Sequence, residues 1–164
     1  MNRYDLGYGS HVPILAAAVA RTTGPVIELG MGWWSTPLLH MLCRDRQLLS
    51  CETDPLWFSG FQFMQSSSHV MRQVESWKRE TDIDRIKWDV AFVDSHPGEM
   101  RPDLVLRLKE KVRFIVCHDT EADIPPSGGN YGWKRLEGAF KYEVIYKEVR
   151  PWTTVYSDFE EFKL

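Results

Sequence analysis

The chain has 164 residues, 43% of them hydrophobic, enough for one domain spanning residues 1–164 to bury a sizeable core without disulfides or metal. Charged residues make up 26% and nearly cancel at a net charge of −3, which gives no broad electrostatic reason to expect a nucleic acid or an anionic membrane as partner. A small or neutral partner is the expectation. The longest apolar stretch, Val12 to Ala20, is interrupted by Pro13 and falls far short of the roughly 20 residues of a membrane span. Met1 to Gly9 carries Arg3 and Asp5 and no apolar segment precedes Val12, so no secretory signal is read there and a cytoplasmic location is expected. Cys43, Cys51 and Cys117 are far apart with no CxxC spacing, as expected of reduced, buried cysteines acting as small hydrophobes.

In chain order, Ser10 can cap a helix running to Arg21, with Pro13 in its first turn, and Thr23-Gly24-Pro25 stops it. Short apolar runs then alternate with helical ones: strand Val26 to Leu29, helix Ser35 to Arg44, strand Gln47 to Glu52, and a weak helix near Pro55 to Met64. The rhythm continues through strand His69 to Glu75, helix Trp77 to Ile86, strand Trp88 to Asp94, helix Pro102 to Lys111 and strand Val112 to His118. The last third differs: a helix near Tyr131 to Phe140 precedes two strands, Tyr142 to Val149 and Thr153 to Ser157, joined through Arg150-Pro151 as an antiparallel hairpin. Repeated strand–helix units impose right-handed crossovers. They give an α/β, doubly wound, mostly parallel sheet of seven strands, the last two antiparallel, with helices on both faces.

Ligands of such sheets bind beyond the carboxyl ends of the strands, and those ends are strongly acidic here: Glu28, Glu52, Glu75 with Ser76, Asp94, and His118 with Asp119. Any one acid could be a turn or cap residue, but the recurrence at one edge points to a binding site. The sharpest segment is Val26 to Pro37, where a strand turns through Gly30 and Gly32 into a helix capped by Ser35 or Thr36. Glycines there allow positive φ and close approach of a ligand. A dinucleotide's pyrophosphate would be repelled by Glu28 and lacks its usual third glycine, since Trp34 stands in that place. A ligand with a cationic ammonium and sulfonium and no phosphate, such as S-adenosylmethionine (SAM), suits the loop better. Glu52 follows about 20 residues on, the spacing at which an acid accepts from the ribose hydroxyls of an adenosine. Asp54-Pro55 reads equally as a helix start.

These residues resemble the class I SAM-dependent methyltransferases, and more narrowly their small O-methyltransferase-like members. The resemblance is carried by ExGxG followed by Ser-Thr at Glu28 to Thr36, by Glu52, by Val93-Asp94-Ser95-His96, and by Cys117-His118-Asp119-Thr120. It implies a Rossmann-like domain in which Glu28, Gly30 and Gly32 face the methionine part of SAM and Ser35 also belongs to the cofactor site. Glu52 would face the ribose, and Glu75, Ser76 or Trp77 the adenine, unless Trp77 is core. Trp33-Trp34 either wrap the cofactor or close a neighbouring hydrophobic cleft.

Methyl transfer needs little more than alignment of the acceptor and removal of its proton, because the cofactor supplies the electrophile. Asp94, His96, His118 and Asp119 are the candidate catalytic residues. By the same resemblance Asp94 and Asp119 match two positions that hold a divalent metal such as magnesium in catechol-type enzymes; the alternative is a pair of hydrogen-bonded carboxylates. Thr120 to Asn130 is composed like a cover over the cleft. Little sequence is left for a separate acceptor domain, so the acceptor is a small molecule or a protruding group, with oxygen the atom methylated, or a second subunit in a homo-oligomer helps bind it. His11, His40 and His69 read as structural or surface residues. A nicotinamide oxidoreductase and a non-catalytic SAM- or nucleoside-binding module are the competing functions.

Overall fold

A computed structural model describes residues 6–121, 123 and 129–164. Parts of two segments read above, Met1 to Gly9 and the expected cover Thr120 to Asn130, lie outside the described residues. Five parallel strands, β1 (Val26–Leu29), β2 (Leu48–Glu52), β3 (His69–Gln73), β4 (Trp88–Val93) and β5 (Val112–His118), are joined by β7 (Thr153–Ser157) and β6 (Tyr142–Tyr146). The order across the sheet is β3-β2-β1-β4-β5-β7-β6, with β7 antiparallel to both of its neighbours. The order reverses between β1 and β4, and the crevice beyond their carboxyl ends is where a doubly wound sheet binds ligands.

Side-chain alternation along the strands sorts the core into two layers. Val26, Leu48, Val90, Phe92, Phe114 and Val116 pack against Ile14, Leu15, Ala18 and Val19 of α1 (Val12–Ala20) and Leu39 of α2 (Ser35–Leu42). Ile27, Leu29, Leu49, Cys51, Ala91, Val93, Ile115 and Cys117 face the other way. There they meet Ile83 of α4 (Asp82–Arg85) and Leu104, Val105 and Leu108 of α5 (Arg101–Leu108). Phe58 of the short α3 (Pro55–Ser59) and Phe61 just after it pack with Met31 and Met71 as a smaller core cluster. Each large apolar side chain buried in these layers contributes about 1.5–3 kcal/mol. All three cysteines are free and buried.

Three expected helices are shorter or absent. Pro55 to Met64 splits into α3 and a 3-10 turn at Gln62–Met64. Trp77 to Ile86 is helical only over α4, because the Trp77 ring is drawn into the core and its indole N–H donates to His96 O at 2.8 Å. Tyr131 to Phe140 forms only a 3-10 turn, Trp133–Leu136, bracketed by Gly132 (φ 77°) and Gly138 (φ 68°). The Asp123 carboxylate accepts from the N–H groups of Tyr131, Gly132 and Trp133, which a helix beginning at Tyr131 would leave without an intrahelical acceptor; the left-handed backbone at Gly132 is what keeps the segment from being one continuous helix.

Candidate active site

The glycine loop joins β1 to α2. Gly30 has φ 99°, and a Cβ there would lie 2.5 Å from the Asp94 carbonyl oxygen, so the exit of β4 packs directly on the loop and only glycine fits. Gly32 is not in the left-handed region, contrary to the sequence expectation, and a Cβ there would meet only Ser35 Oγ, at 3.1 Å. The residue before α2 is Trp34, so Ser35 and Thr36 lie in the first turn and do not cap it. Thr36 instead accepts from Gly32 N–H at 3.0 Å and donates to the Glu28 carboxylate at 3.0–3.1 Å. Glu28 is wholly buried beneath the loop, and burial pushes its carboxyl up to about 7 against hydrogen bonds that favour the ionised form.

Glu52 closes the other side of the loop. One carboxylate oxygen accepts from Met31 N–H at 2.9 Å; the other accepts from Thr53 N–H at 2.7 Å and Asp54 N–H at 2.9 Å. The acid that ends β2 therefore holds the glycine loop and its own turn together. Asp54 caps α3 by accepting from Leu56 and Trp57 N–H, the helix-start role. Trp57 donates its indole N–H to Met31 O, and the Trp33 ring lies 4.9 Å from that of Phe61, so Trp33 and Trp57 form a half-exposed aromatic wall beside the loop. Beyond β3, Glu75 has a side chain 92% exposed and paired only loosely with Arg79 at 4.0 Å, while Ser76 is half-buried.

Past β4 and β5 lies a closed charge cluster. Asp94 and Asp119 face each other across Arg101, whose Nη2 is 2.8 Å from Asp94 Oδ1 and whose Nη1 is 2.8 Å from Asp119 Oδ2. Arg101 is only 7% exposed; its Nε donates to Ser95 O at 2.9 Å and Nη1 to His118 O at 3.1 Å. The Tyr131 ring covers it, 5.0 Å from the guanidinium carbon, seated in a slot that a Cβ at Gly98 would fill. His118 Nδ1 stands 3.4 Å from Asp94 Oδ2 and 3.6 Å from Asp119 Oδ1. Its Nε2 lies 3.0 Å from Ser10 Oγ, and Ser10 donates its single hydrogen to Pro151 O at 2.6 Å.

That arrangement assigns the protons. Ser10 has no second hydrogen to give, so His118 Nε2 carries one, and Nδ1 facing two carboxylates carries another. Burial pushes the imidazole down, but Asp94 and then Asp119 outweigh it and hold it above its ordinary value. Asp94 is likewise held well below the usual carboxylate range, because Arg101 and His118 overcome its burial. His118 is thus a fixed donor. His11, buried against the rings of Phe92 and His118 at 4.6 Å, is pushed down to about 3 by burial and by His118, and neither of its nitrogens has a hydrogen-bond partner among the described residues. His96 is exposed at the mouth of the crevice; its carbonyl, tied to Trp77 and Thr53, fixes the loop.

Asp94, His118 and Asp119 offer ligand atoms within 4.8 Å of one another. They do not fit a resident divalent metal, because Arg101 occupies one oxygen of each carboxylate and protonated His118 faces the other two. Two anions are already matched by two cations.

Chains of known structure share this arrangement of elements. The human methyltransferase 10 domain containing protein superposes with a TM-score of 0.60 at 16% identity, covering 92% of this chain and 80% of that one. The N-terminal domain of human METTL16 in complex with SAH gives 0.63 at 15% identity, over 92% and 69%. The chain has a Rossmann-like methyltransferase fold. No family model and no curated protein matches its sequence. A third chain with this methyltransferase fold, the METTL16 catalytic domain, was solved with the MAT2A 3′UTR hairpin 1, at a TM-score of 0.62 and 13% identity over 92% and 69%. The expectation that nucleic acid is excluded as a partner therefore does not stand: a balanced net charge constrains the far field, whereas binding depends on local surface. Among the described residues no helix is long and apolar enough to cross a membrane.

Sequence reasoning missed Arg101, and it read Ser10 as a helix cap, whereas His11 stands at the cap position of α1 and Ser10 Oγ meets His118. Arg101 begins the apolar stripe of α5, followed by buried Leu104, Val105 and Leu108 at i+3, i+4 and i+7. A cation at a core position of a helix was the available signal.

Proposed function

We propose that the chain is a SAM-dependent methyltransferase, a single domain that binds the cofactor over the Glu28–Thr36 loop and the acceptor against Asp94 and Asp119. The observation that carries this is the placement of two polar constellations on either side of the β1/β4 crevice. One is Glu28 and Glu52 around a glycine loop; the other is the Asp94–Arg101–Asp119–His118 cluster. SAM supplies the electrophilic methyl group when bound. The loop would hold its ammonium end, with Glu28 acting from beneath through its charge rather than by contact, and Glu52 Oε2, with one protein donor in place, would have acceptor capacity left for a ribose hydroxyl.

Asp94 and Asp119 are 23% and 27% exposed at their side chains, so both carboxylates remain within reach of an acceptor. An acceptor O–H or N–H donating to them is oriented with its lone pair free for in-line attack. Protonated His118 holds the carboxylates in place and cannot act as the base; the proton passes to a carboxylate or to the exposed His96. This favours a small molecule or protruding group with a hydroxyl acceptor, met in the cytoplasm. Nucleic acid is a second acceptor class, favoured by the aromatic wall of Trp33 and Trp57, which suits stacking of an unpaired base.

Calorimetric titration with SAM, its demethylated product and NAD tests the cofactor. Micromolar binding of the first two and none of NAD is expected, and equal binding of NAD refutes the assignment. SAM binding without turnover on hydroxylated small molecules or single-stranded RNA would instead favour a binding module.

A further inference from the structure

We propose that Arg101 is a built-in cation standing where a divalent ion would be ligated, and that it aligns Asp94 and Asp119 for the acceptor in place of a metal. The role of the acceptor rests on the methyltransferase function proposed above; the charge geometry stands without it. A bridging metal would draw one oxygen from each carboxylate and a nitrogen from His118, and all three ligands are present within 4.8 Å. The guanidinium already does the bridging, with Nη2 and Nη1 each 2.8 Å from one carboxylate.

Arg101 is held there from every side. Nε on Ser95 O and Nη1 on His118 O peg its plane to the ends of β4 and β5, the two strands that carry the carboxylates. The Tyr131 ring, fitted into the Gly98 slot, covers the guanidinium, and the following turn is anchored by Trp133 Nε1 on Asp119 O at 3.0 Å. Four of the five N–H groups of the guanidinium are thus used, in the planar fork geometry that lysine cannot reproduce. A permanent cation placed between the two carboxylates also offsets their charge whatever the pH, which weakens their attraction for a dication.

Removing the guanidinium should therefore create a metal site. Manganese binding is counted by the paramagnetic signal of free Mn²⁺ on the full chain, with SAM binding measured in the same samples. Wild type should bind no Mn²⁺ at micromolar concentration. Arg101→Met should bind one ion at least tenfold more tightly than wild type, lose it again in the double variant Arg101→Met/Asp119→Asn, and gain thermal stability with Mn²⁺ where wild type gains none. If Arg101→Met does not fold alone, Mn²⁺ should drive its folding, and the milder Arg101→Gln is read in the same way. A wild-type Mn²⁺ site abolished by Asp94→Asn overturns the proposal, and so does a folded or unfolded Arg101→Met that Mn²⁺ leaves unchanged. Either result in a wild type that still binds SAM leaves the cofactor assignment untouched.

Discussion

Replacing Glu28 by Gln isolates the most unusual ionisable group near the glycine loop. Glu28 is fully buried and its carboxyl is pushed from 4.5 up to about 7, burial being the largest cause. An acid with a raised folded-state value holds its proton longer in the native than in the unfolded chain. Its contribution is therefore fully present below the unfolded value and is lost as pH rises, levelling off above 7. Between pH 5 and pH 8 the wild type should lose about 2–3 kcal/mol from this one group, since each tenfold difference in proton affinity between the two states is worth about 1.4 kcal/mol. Gln keeps an acceptor for the Thr36 hydroxyl, whose bonds to Glu28 measure 3.0–3.1 Å, and cannot ionise. Urea unfolding of the ligand-free proteins at pH 5 and pH 8 should thus show the wild type falling relative to Glu28→Gln by that amount. Because all other groups are shared, equal losses in the two proteins would refute the reasoning. SAM supplies a second reading of the same variant: with an ammonium near the loop, ionised Glu28 is favoured, so Gln should weaken SAM binding more at pH 8 than at pH 5.

Four further outcomes follow from the geometry. Glu52→Ala leaves the Met31, Thr53 and Asp54 N–H groups without their acceptor, and should weaken SAM binding and cost stability together, each by about 1–3 kcal/mol, read by calorimetry and urea unfolding. Gly30→Ala places a Cβ 2.5 Å from Asp94 O at φ 99° and should cost at least about 1–3 kcal/mol; a neutral effect in thermal unfolding would contradict the packing. Ser10→Ala removes the acceptor of His118 Nε2–H and should lower stability by about 1 kcal/mol, whereas a simple helix-capping role predicts altered α1 helicity by circular dichroism with His118 NMR shifts unmoved. His11, pushed down to about 3, is neutral in the fold and charges on unfolding below 6.5, so its contribution is lost as pH falls; His11→Phe should resist unfolding at pH 5 by about 2 kcal/mol relative to its behaviour at pH 7, compared with wild type.

The sequence by itself determined the sheet and which polar residues stand at the ends of its strands. Strands are local, periodic and short, so β1 and β5 were legible to the residue, as were Glu28, Glu52 and His118 in or at the ends of the strands where the structure has them. What only the tertiary structure decided were interactions between residues far apart in the chain. Arg101 meets Asp119 across 18 positions and Ser10 meets His118 across 108, and no periodicity encodes such a contact. The protonation of His118 depends on that meeting, since a hydroxyl with one hydrogen and two carboxylates must converge before Nε2 and Nδ1 are both forced to donate. The helices that failed, Trp77 to Ile86 and Tyr131 to Phe140, failed for reasons no periodicity records: the Trp77 ring is packed into the core and tied to His96 O, and the second segment is interrupted by positive φ at Gly132 and Gly138.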